Sequence, residues 1–511
     1  MTQNFRLSKG GLINRDKKIF FKFNNKEYFG YEGDTIASAL IANGVHLIGR
    51  SFKYHRPRGF FGAGVDEPYA IVQLKRNNET DPNVRATEQE IFEGLEAKSV
   101  NCWPNVNFDI GAINNFLRMF FPAGFYYKTF MWPKSFWYKL YEPFIRKAAG
   151  FGSASIKHDK ERYEHKYEYC DLLIAGSGPS GLASAYSAAK NGAKVILAED
   201  KPRFGGSLLT DESSIGNQTG TEWASKIISE LKSMKNVIVK NRSQVFGYYD
   251  HNMLVMSERV SDHLPKSNKH QPKQRLWYIR AKEVVISSGS IERPLVFGNN
   301  DTPGVILSSA AKEYLKVYGV LVGKKPIIFT NNDSGYETAI EFKKNGVDPI
   351  VLDTRKDANS EIIKEAKELN INIKFSYVVV AAKGYKKVNS ADIAKISDDK
   401  KAISNIENIK CDCICVSGFW TPTIHLASQS GNKTKFNEEI DAFVPSHSKQ
   451  KEVTLGSANG VFTLEETLKT SFEKGSELSK QITNKENKVS IPTVVEKKSS
   501  KHDKFWCVPL P

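Results

Sequence analysis

The sequence predicts an α/β protein of Rossmann type, with two dinucleotide-binding-like units behind a smaller, cysteine-free ferredoxin-like β-grasp domain. Three observations predict it. An apolar strand runs into Gly176-x-Gly178-x-x-Gly181, then a small-residue helix, then a second strand ending in Glu199. A further strand–helix–strand series begins near Pro326. A strand–strand–helix pattern, the way a β-grasp domain starts, opens the chain.

The glycine unit is the most informative stretch. Leu172 to Ala175 reads as a buried strand, Leu182 to Ala189 as the helix, Asn191-Gly192 as a turn and Lys194 to Ala198 as the second strand. Gly176 allows the tight turn, Gly178 lets a pyrophosphate approach the backbone, and Gly181 lets helix and strand pack closely. Ser177 and Ser180 complete the loop. The helix N-terminus offers free N–H groups and a positive dipole end to phosphates. Glu199 stands about 20 residues further on, where a carboxylate binds ribose hydroxyls. A lone G-x-G-x-x-G is a weak signal and can be a structural glycine turn. With strand, helix, second strand and acid in order, it predicts nucleotide binding, without deciding between NAD and FAD.

The totals narrow the class. A chain of 511 residues suits two to four domains. Hydrophobic residues at 40% and charged residues at 25% suit a globular protein. The net charge of +16 comes from scattered lysines, with no basic helix or RNA-binding signature, so no nucleic-acid partner is expected. Six cysteines in so long a chain make no disulfide framework and suggest a reducing, cytoplasmic setting. The start, Met-Thr-Gln-Asn-Phe-Arg, has no apolar core of a secretion signal. No apolar run is long enough to span a membrane.

In chain order, residues 1–100 form the β-grasp unit. Lys18 to Phe23 and Glu27 to Phe29 flank Asn24-Asn25-Lys26 as a hairpin, and Asp34 or Thr35 caps a helix closed by Gly44. An iron–sulfur domain of this type carries C-x4-C-x2-C in the next loop. That loop is Gly49 to Gly59 and lacks cysteine, so no cluster is expected. Its Arg50, Lys53, His55, Arg56 and Arg58 suggest either an anion or partner contact, or a solvated hairpin pairing with Asp66 and Glu67. Residues 101–168 are an aromatic-rich connector, from Phe116 to Tyr141, expected to be buried between domains or against a partner subunit, with adhesion to a membrane surface as the alternative. Lys157 to Lys166 reads as a charged linker.

The first part of the dinucleotide domain spans 169–321. Glu199-Asp200-Lys201 through Gly205-Gly206-Ser207 resembles the acidic-to-Gly-Gly stretch of two-dinucleotide-domain flavoproteins. Trp223 to Met234 is a helix, Val237 to Val239 a strand, and Gln244 to Tyr249 begins a β-meander. Glu283 to Gly289 re-enters the sheet, with Ser288 where the A-T-G strand of that superfamily has threonine. Residues 322–409 read as an inserted second α/β unit, whose turn Asn331 to Gly335 is not G-x-G-x-x-G, so a second nucleotide is doubtful. Residues 410–480 return to the first domain. There Cys411, Cys413 and Cys415 alternate along a strand and share one face, an arrangement better suited to burial than to metal. Val453 to Gly460 precedes a helix near Leu464 to Leu478.

The chemistry is sparse. Disulfide reductases of this fold place C-x4-C after the Gly-Gly stretch, or C-x-x-C in the second domain, and neither is present. No H-E-x-x-H, G-x-S-x-G or P-loop occurs, and no acid–base pair stands out. No catalytic or metal-binding residue is assigned. The chain reads as a nucleotide-binding subunit whose chemistry lies partly elsewhere.

Several stretches together carry a family resemblance: Gly49 to Gly59 (G-R-S-F-K-Y-H-R-P-R-G), Ala123 to Thr129, Ile291 to Phe297 (I-E-R-P-L-V-F), Thr330 to Ser334 and Ser417 to Leu426. The chain resembles the α subunit of heterotetrameric sarcosine oxidase over nearly its whole length. The resemblance implies oxidative demethylation of sarcosine at a covalently tethered flavin. The methyl carbon would leave as formaldehyde or be captured by tetrahydrofolate, with hydrogen peroxide as co-product. It implies FAD and FMN mainly with or against the β subunit, γ and δ partners, and NAD+ in this chain. Carried over by position, the NAD contacts are Gly176, Ser180, Glu199, Asp200, Lys201 and Ser207, with Val245, Ser457, Ala458 and Thr463 as further contacts. Family α subunits continue into a folate-binding half. Residues 481–511 are therefore expected to be a solvated linker toward a missing C-terminal domain, and the chain a fragment or a split-gene subunit. The rival readings are an opine- or proline-dehydrogenase-type FAD or NAD(P)H oxidoreductase subunit, and a nucleotide-bound scaffold.

Overall fold

A computed structural model describes residues 2–76, 79–122, 124, 130–265, 270–487 and 489–509. The stretch 125–129, part of the resemblance, lies outside them. The chain opens on a hairpin of Asn14–Phe23 and Lys26–Glu32. Asn24 and Asn25 both take left-handed φ (51° and 64°), as a two-residue turn between twisted strands requires. Thr35, not Asp34, caps the Ile36–Ala42 helix in a reciprocal pair with Ser38. Asp34 is fully buried and instead receives the Arg6 guanidinium at 2.6 Å. Glu96–Ser99 lies parallel to the first strand, and Ile71–Arg76 and Glu79–Arg85 extend the sheet. This is the β-grasp arrangement.

The basic loop forms a two-residue-per-strand hairpin, Gly49–Arg50 with Pro57–Arg58. It is not paired with Asp66 and Glu67 as the solvated reading supposed. Arg56 and Arg58 both grip Asp301, at 2.6 and 2.7 Å, and His55 Nδ1 lies 2.7 Å from Asp109. Asp301 lies 245 residues beyond Arg56 in the chain, a partner that local sequence cannot reveal. Within this chain the aromatic connector is not buried between domains, which leaves a partner subunit as the surface that could cover it. Phe116, Trp132 and Tyr138 are each more than 80% exposed.

The first α/β unit has five parallel strands in the order Val237–Lys240, Val195–Ala198, Tyr163–Ala175, Gln274–Ile286 and Glu452–Thr454. Tyr163 to Lys166 belongs to a strand rather than a linker, because it pairs with Gln274 to Trp277. The lower half of Gln274–Ile286 also joins Met253–Arg259 and Ser243–Tyr249 as a meander.

The second unit repeats this plan. Val305–Leu307, Cys413–Ser417, Pro326–Thr330, Ile350–Asp353 and Asn372–Phe375 form a parallel sheet, with a meander of Tyr377–Gly384, Val388–Lys395 and Glu407–Ile409. It is larger than 322–409, and the Cys413–Ser417 strand lies in it rather than in the returning first unit. The strand begins at Cys413, so the three cysteines do not share a face. Cys413 and Cys415 pack with the β-grasp core and the Ser308–Tyr318 helix, while Cys411 packs on the opposite side with Ile414 and Val416.

Residues 481–511 are not a solvated linker. After the Leu464–Thr483 helix, Val494–Val495 adds a strand to Ser214–Ile215. Phe505 and Val508 are buried in the core of the second unit. No helix among the described residues is long and apolar enough to cross a membrane.

Candidate dinucleotide site

The site is built where strand Tyr163–Ala175 stops. Gly176 has φ 105°, and a Cβ there would lie 2.3 Å from the Ser287 carbonyl oxygen. A Cβ on Gly181 would lie 1.9 Å from the Gly176 oxygen. Both positions therefore exclude any side chain. Gly178 faces open space and caps the Pro179–Lys190 helix. Pro179 at the first helical position has no N–H to leave unpaired, so the donors offered by this end are those of the residues that follow.

These residues border one cavity of about 2350 Å³. Of the expected contacts, Gly176, Ser177, Gly178, Ser180, Glu199, Asp200, Lys201, Ser207, Val245, Ser457 and Thr463 line it. Gly181 and Ala458 do not: Gly181 packs under the loop, and Ala458 is fully buried. The far wall carries Glu292, Ser309, Lys312, Glu337 and Trp420, none of which the motif spacing pointed to.

Glu199 spans the glycine loop. Its Oε2 accepts from the Ser177 amide (2.9 Å) and hydroxyl (2.5 Å), and its Oε1 from the Lys201 amide (3.0 Å). Burial, helped by neighbouring Asp200, pushes its pKa up to about 8. The carboxyl is thus held in place at the rim where a ribose would rest. The Lys201 ammonium is taken by both oxygens of Glu313 (2.7 and 2.8 Å), so it enters the wall already neutralised. That partner is distant in sequence, so the motif gave no sign of it.

The corresponding crevice of the second unit, at the carboxyl end of Pro326–Thr330, is filled by the chain itself. Asn331 donates to the carbonyls of Asp503 and Phe505 (2.9 and 3.1 Å), and the Asp503 amide donates to the Asn331 carbonyl. Asp333 accepts from the Ser500 amide (2.6 Å). Arg355 is buried between Asp333 and Asp353 (2.8 and 2.7 Å) and also reaches Ser500. Ligands of open α/β sheets bind outside the carboxyl ends of the strands, and here that place is occupied by residues 500–505.

All six cysteines are free thiols. Burial raises the pKa of Cys170 and Cys411 to about 12, a hydrogen bond with Cys415 together with burial raises that of Cys413 well above its ordinary value, and the thiolate is the reactive form. Dithiol redox chemistry does not fit these residues.

A family profile described as pyridine nucleotide-disulphide oxidoreductase matches residues 170–449, more than half of the chain. The chain belongs to that family of oxidoreductases. Among individual proteins, it is 44% identical to the sarcosine oxidase subunit alpha of Rhizobium meliloti (strain 1021) over 89% of its own length and 45% of the relative's. It is 28% identical to the subunit of the same name from Corynebacterium sp. (strain U-96), over 90% of this chain and 43% of that one. The chain thus spans a little under half the length of these relatives. The L-proline dehydrogenase structure from P. horikoshii superposes with a TM-score of 0.61 over 94% of this chain and 76% of that one, at 18% identity, a likeness of fold.

A second profile, a 2Fe-2S iron-sulfur cluster binding domain, matches residues 16–102. The residues present do not fit a cluster. Cys102 is the lone cysteine of that stretch, where four thiolates are needed. The loop's interior is filled by the buried Arg50 guanidinium, which donates to the Val106 carbonyl (3.0 and 2.8 Å) and the His55 carbonyl (3.2 Å).

Proposed function

We propose that this chain is the nucleotide-holding portion of a sarcosine oxidase-type α subunit, with NAD+ in the glycine-loop cleft. The observation that supports this most is the cleft behind the glycine loop with Glu199 braced at its rim, in a chain 44% identical to a sarcosine oxidase subunit alpha. When bound, a dinucleotide supplies a hydride-accepting ring that the side chains here lack. The chain's own part is to hold it. The loop backbone at Gly178 and Ser180 receives the pyrophosphate, Glu199 and Asp200 take ribose hydroxyls, and Ser207, Val245, Ser457 and Thr463 close the wall.

In this reading the amine is oxidised elsewhere in the complex. Sarcosine, oxygen and water become glycine, formaldehyde and hydrogen peroxide at flavins carried with a β subunit, with γ and δ subunits completing the assembly. Tetrahydrofolate would capture the methyl carbon in the half of the relatives that this chain does not span. Mass spectrometry of the small molecule released on denaturation tests the first part. NAD supports the reading, while FAD favours a dehydrogenase-type flavoprotein, the alternative to which the fold likeness to L-proline dehydrogenase lends weight. Co-expression with a sarcosine oxidase-type β subunit tests the second. Failure to form a complex with sarcosine-dependent peroxide release rejects it.

A further inference from the structure

The far end of the cleft holds a carboxyl with one oxygen unused. Glu292 ends the short strand Ser290–Glu292, a few residues beyond Ser287, whose hydroxyl donates to the Gly176 carbonyl at 2.9 Å. At about 3.3 Å per residue, the path from the glycine loop to Glu292 is of the order of 17 Å at full extension. Glu292 is 2% exposed. Its Oε2 accepts the Ser309 amide at 2.7 Å, which fixes the carboxyl against the first turn of the Ser308–Tyr318 helix. Its Oε1 is buried without a hydrogen-bond partner, on a residue that lines the cavity.

Buried polar atoms are almost always paired, and an unpaired one marks a missing partner. Ser309, Lys312 and Trp420 line the same end. Lys312 is committed to Glu337, and the Trp420 indole N–H to Ser334 Oγ at 3.0 Å. The Ser417 hydroxyl lies near enough to lower the Glu292 pKa but makes no hydrogen bond of ordinary geometry to it, which leaves Glu292 Oε1 as the acceptor without a partner.

Building on the dinucleotide reading above, we propose that Glu292 forms an amide-recognition subsite, its Oε1 accepting an N–H from the planar amide at the reactive end of the dinucleotide. A nicotinamide carboxamide and the ring imide of a flavin both present such an N–H beside a carbonyl. Burial pushes the Glu292 pKa up to about 7, against the pull of Ser417, the Ser309 amide and Lys312. A neutral amide suits this site, because it brings no second charge into a buried pocket.

Equilibrium binding of NAD+, FAD and ADP-ribose to the full chain, freed of copurifying nucleotide, tests the subsite. ADP-ribose carries the pyrophosphate and both riboses but no amide. In Glu292→Gln the side-chain amide keeps an oxygen for the Ser309 N–H and turns a donor toward the ligand. We expect it to weaken NAD+ at least tenfold while ADP-ribose changes less than twofold. The same selective loss for FAD, with NAD+ binding wild type no better than ADP-ribose, supports the subsite and assigns the amide to a flavin. Glu292→Asp, which withdraws the carboxyl by one carbon, gives the same selectivity if the Gln variant does not fold. Equal loss for amide-bearing ligand and ADP-ribose, or no loss for either, overturns the subsite alone. Failure of wild type to bind any of the three overturns the dinucleotide reading and the subsite with it.

Discussion

Glu199 and Glu292 are carboxyls that the cleft holds toward their protonated forms. For Glu292 the folded pKa, about 7, lies above the ordinary 4.5. Across that window the native chain binds more protons than the unfolded one, so stability falls as pH rises from 4.5 to 7. At about 1.4 kcal/mol per unit, wild type should lose up to ~3 kcal/mol more than Glu292→Gln over this range. Denaturant midpoints at pH 4.5 and 7 measure it, and parallel curves would discard the assignment. Glu199→Ala removes the acceptor that braces the Ser177 amide and the candidate ribose contact. We expect at least a tenfold weaker grip on the dinucleotide, read as nucleotide retained through gel filtration. Full retention would take Glu199 out of the site.

The tight turn at Gly176 and the close packing at Gly181 were legible from spacing alone, because both follow from the loop's own backbone and the strand beside it. Glu292 and the Glu313 partner of Lys201 were not. Their meaning comes from chain segments more than a hundred residues apart in the case of Lys201, and no local pattern carries that.

At the scale of elements, strand and helix identities followed periodicity, while their ends followed pairing. Tyr163 to Lys166 looked like linker because its residues are charged, yet Gln274–Ile286 needed a neighbour along its length. The stretch after the Leu464–Thr483 helix looked solvated because it is rich in lysine and serine. It is instead pinned by backbone amides and by Arg355, features invisible to composition. Arg355 is 7% exposed and neutralises Asp333 and Asp353, of which Asp353 is fully buried. Breaking a buried ion pair by removing one partner costs about 3–5 kcal/mol. Arg355→Ala should lower stability by that amount in chemical denaturation, and a loss under 1 kcal/mol would show that the pairing contributes little.

At the scale of the molecule, the sheets draw on strands outside the stretches that composition marked off. The second unit recruits Val305–Leu307 and Cys413–Ser417, strands that lie outside residues 322–409. With its crevice filled by residues 500–505, the chain should bind one dinucleotide rather than two. Saturation binding should reach a single equivalent, and two equivalents would mean the tail yields its place. With Arg50 in the loop and no cysteine set, purified protein should contain no iron and no acid-labile sulfide. Stoichiometric iron and sulfide together would contradict that.

The tail has a mechanical consequence. Val494–Val495 is stitched to Ser214–Ile215 of the first unit, and Glu496 caps the Leu464–Thr483 helix through two backbone amides (2.7 and 3.0 Å). From Ser500 to Val508 the same strap is laced to the second unit. A hinge motion between the halves would have to break one attachment or the other. The strap thereby fastens the two halves together as a clasp does, and it opposes their separation.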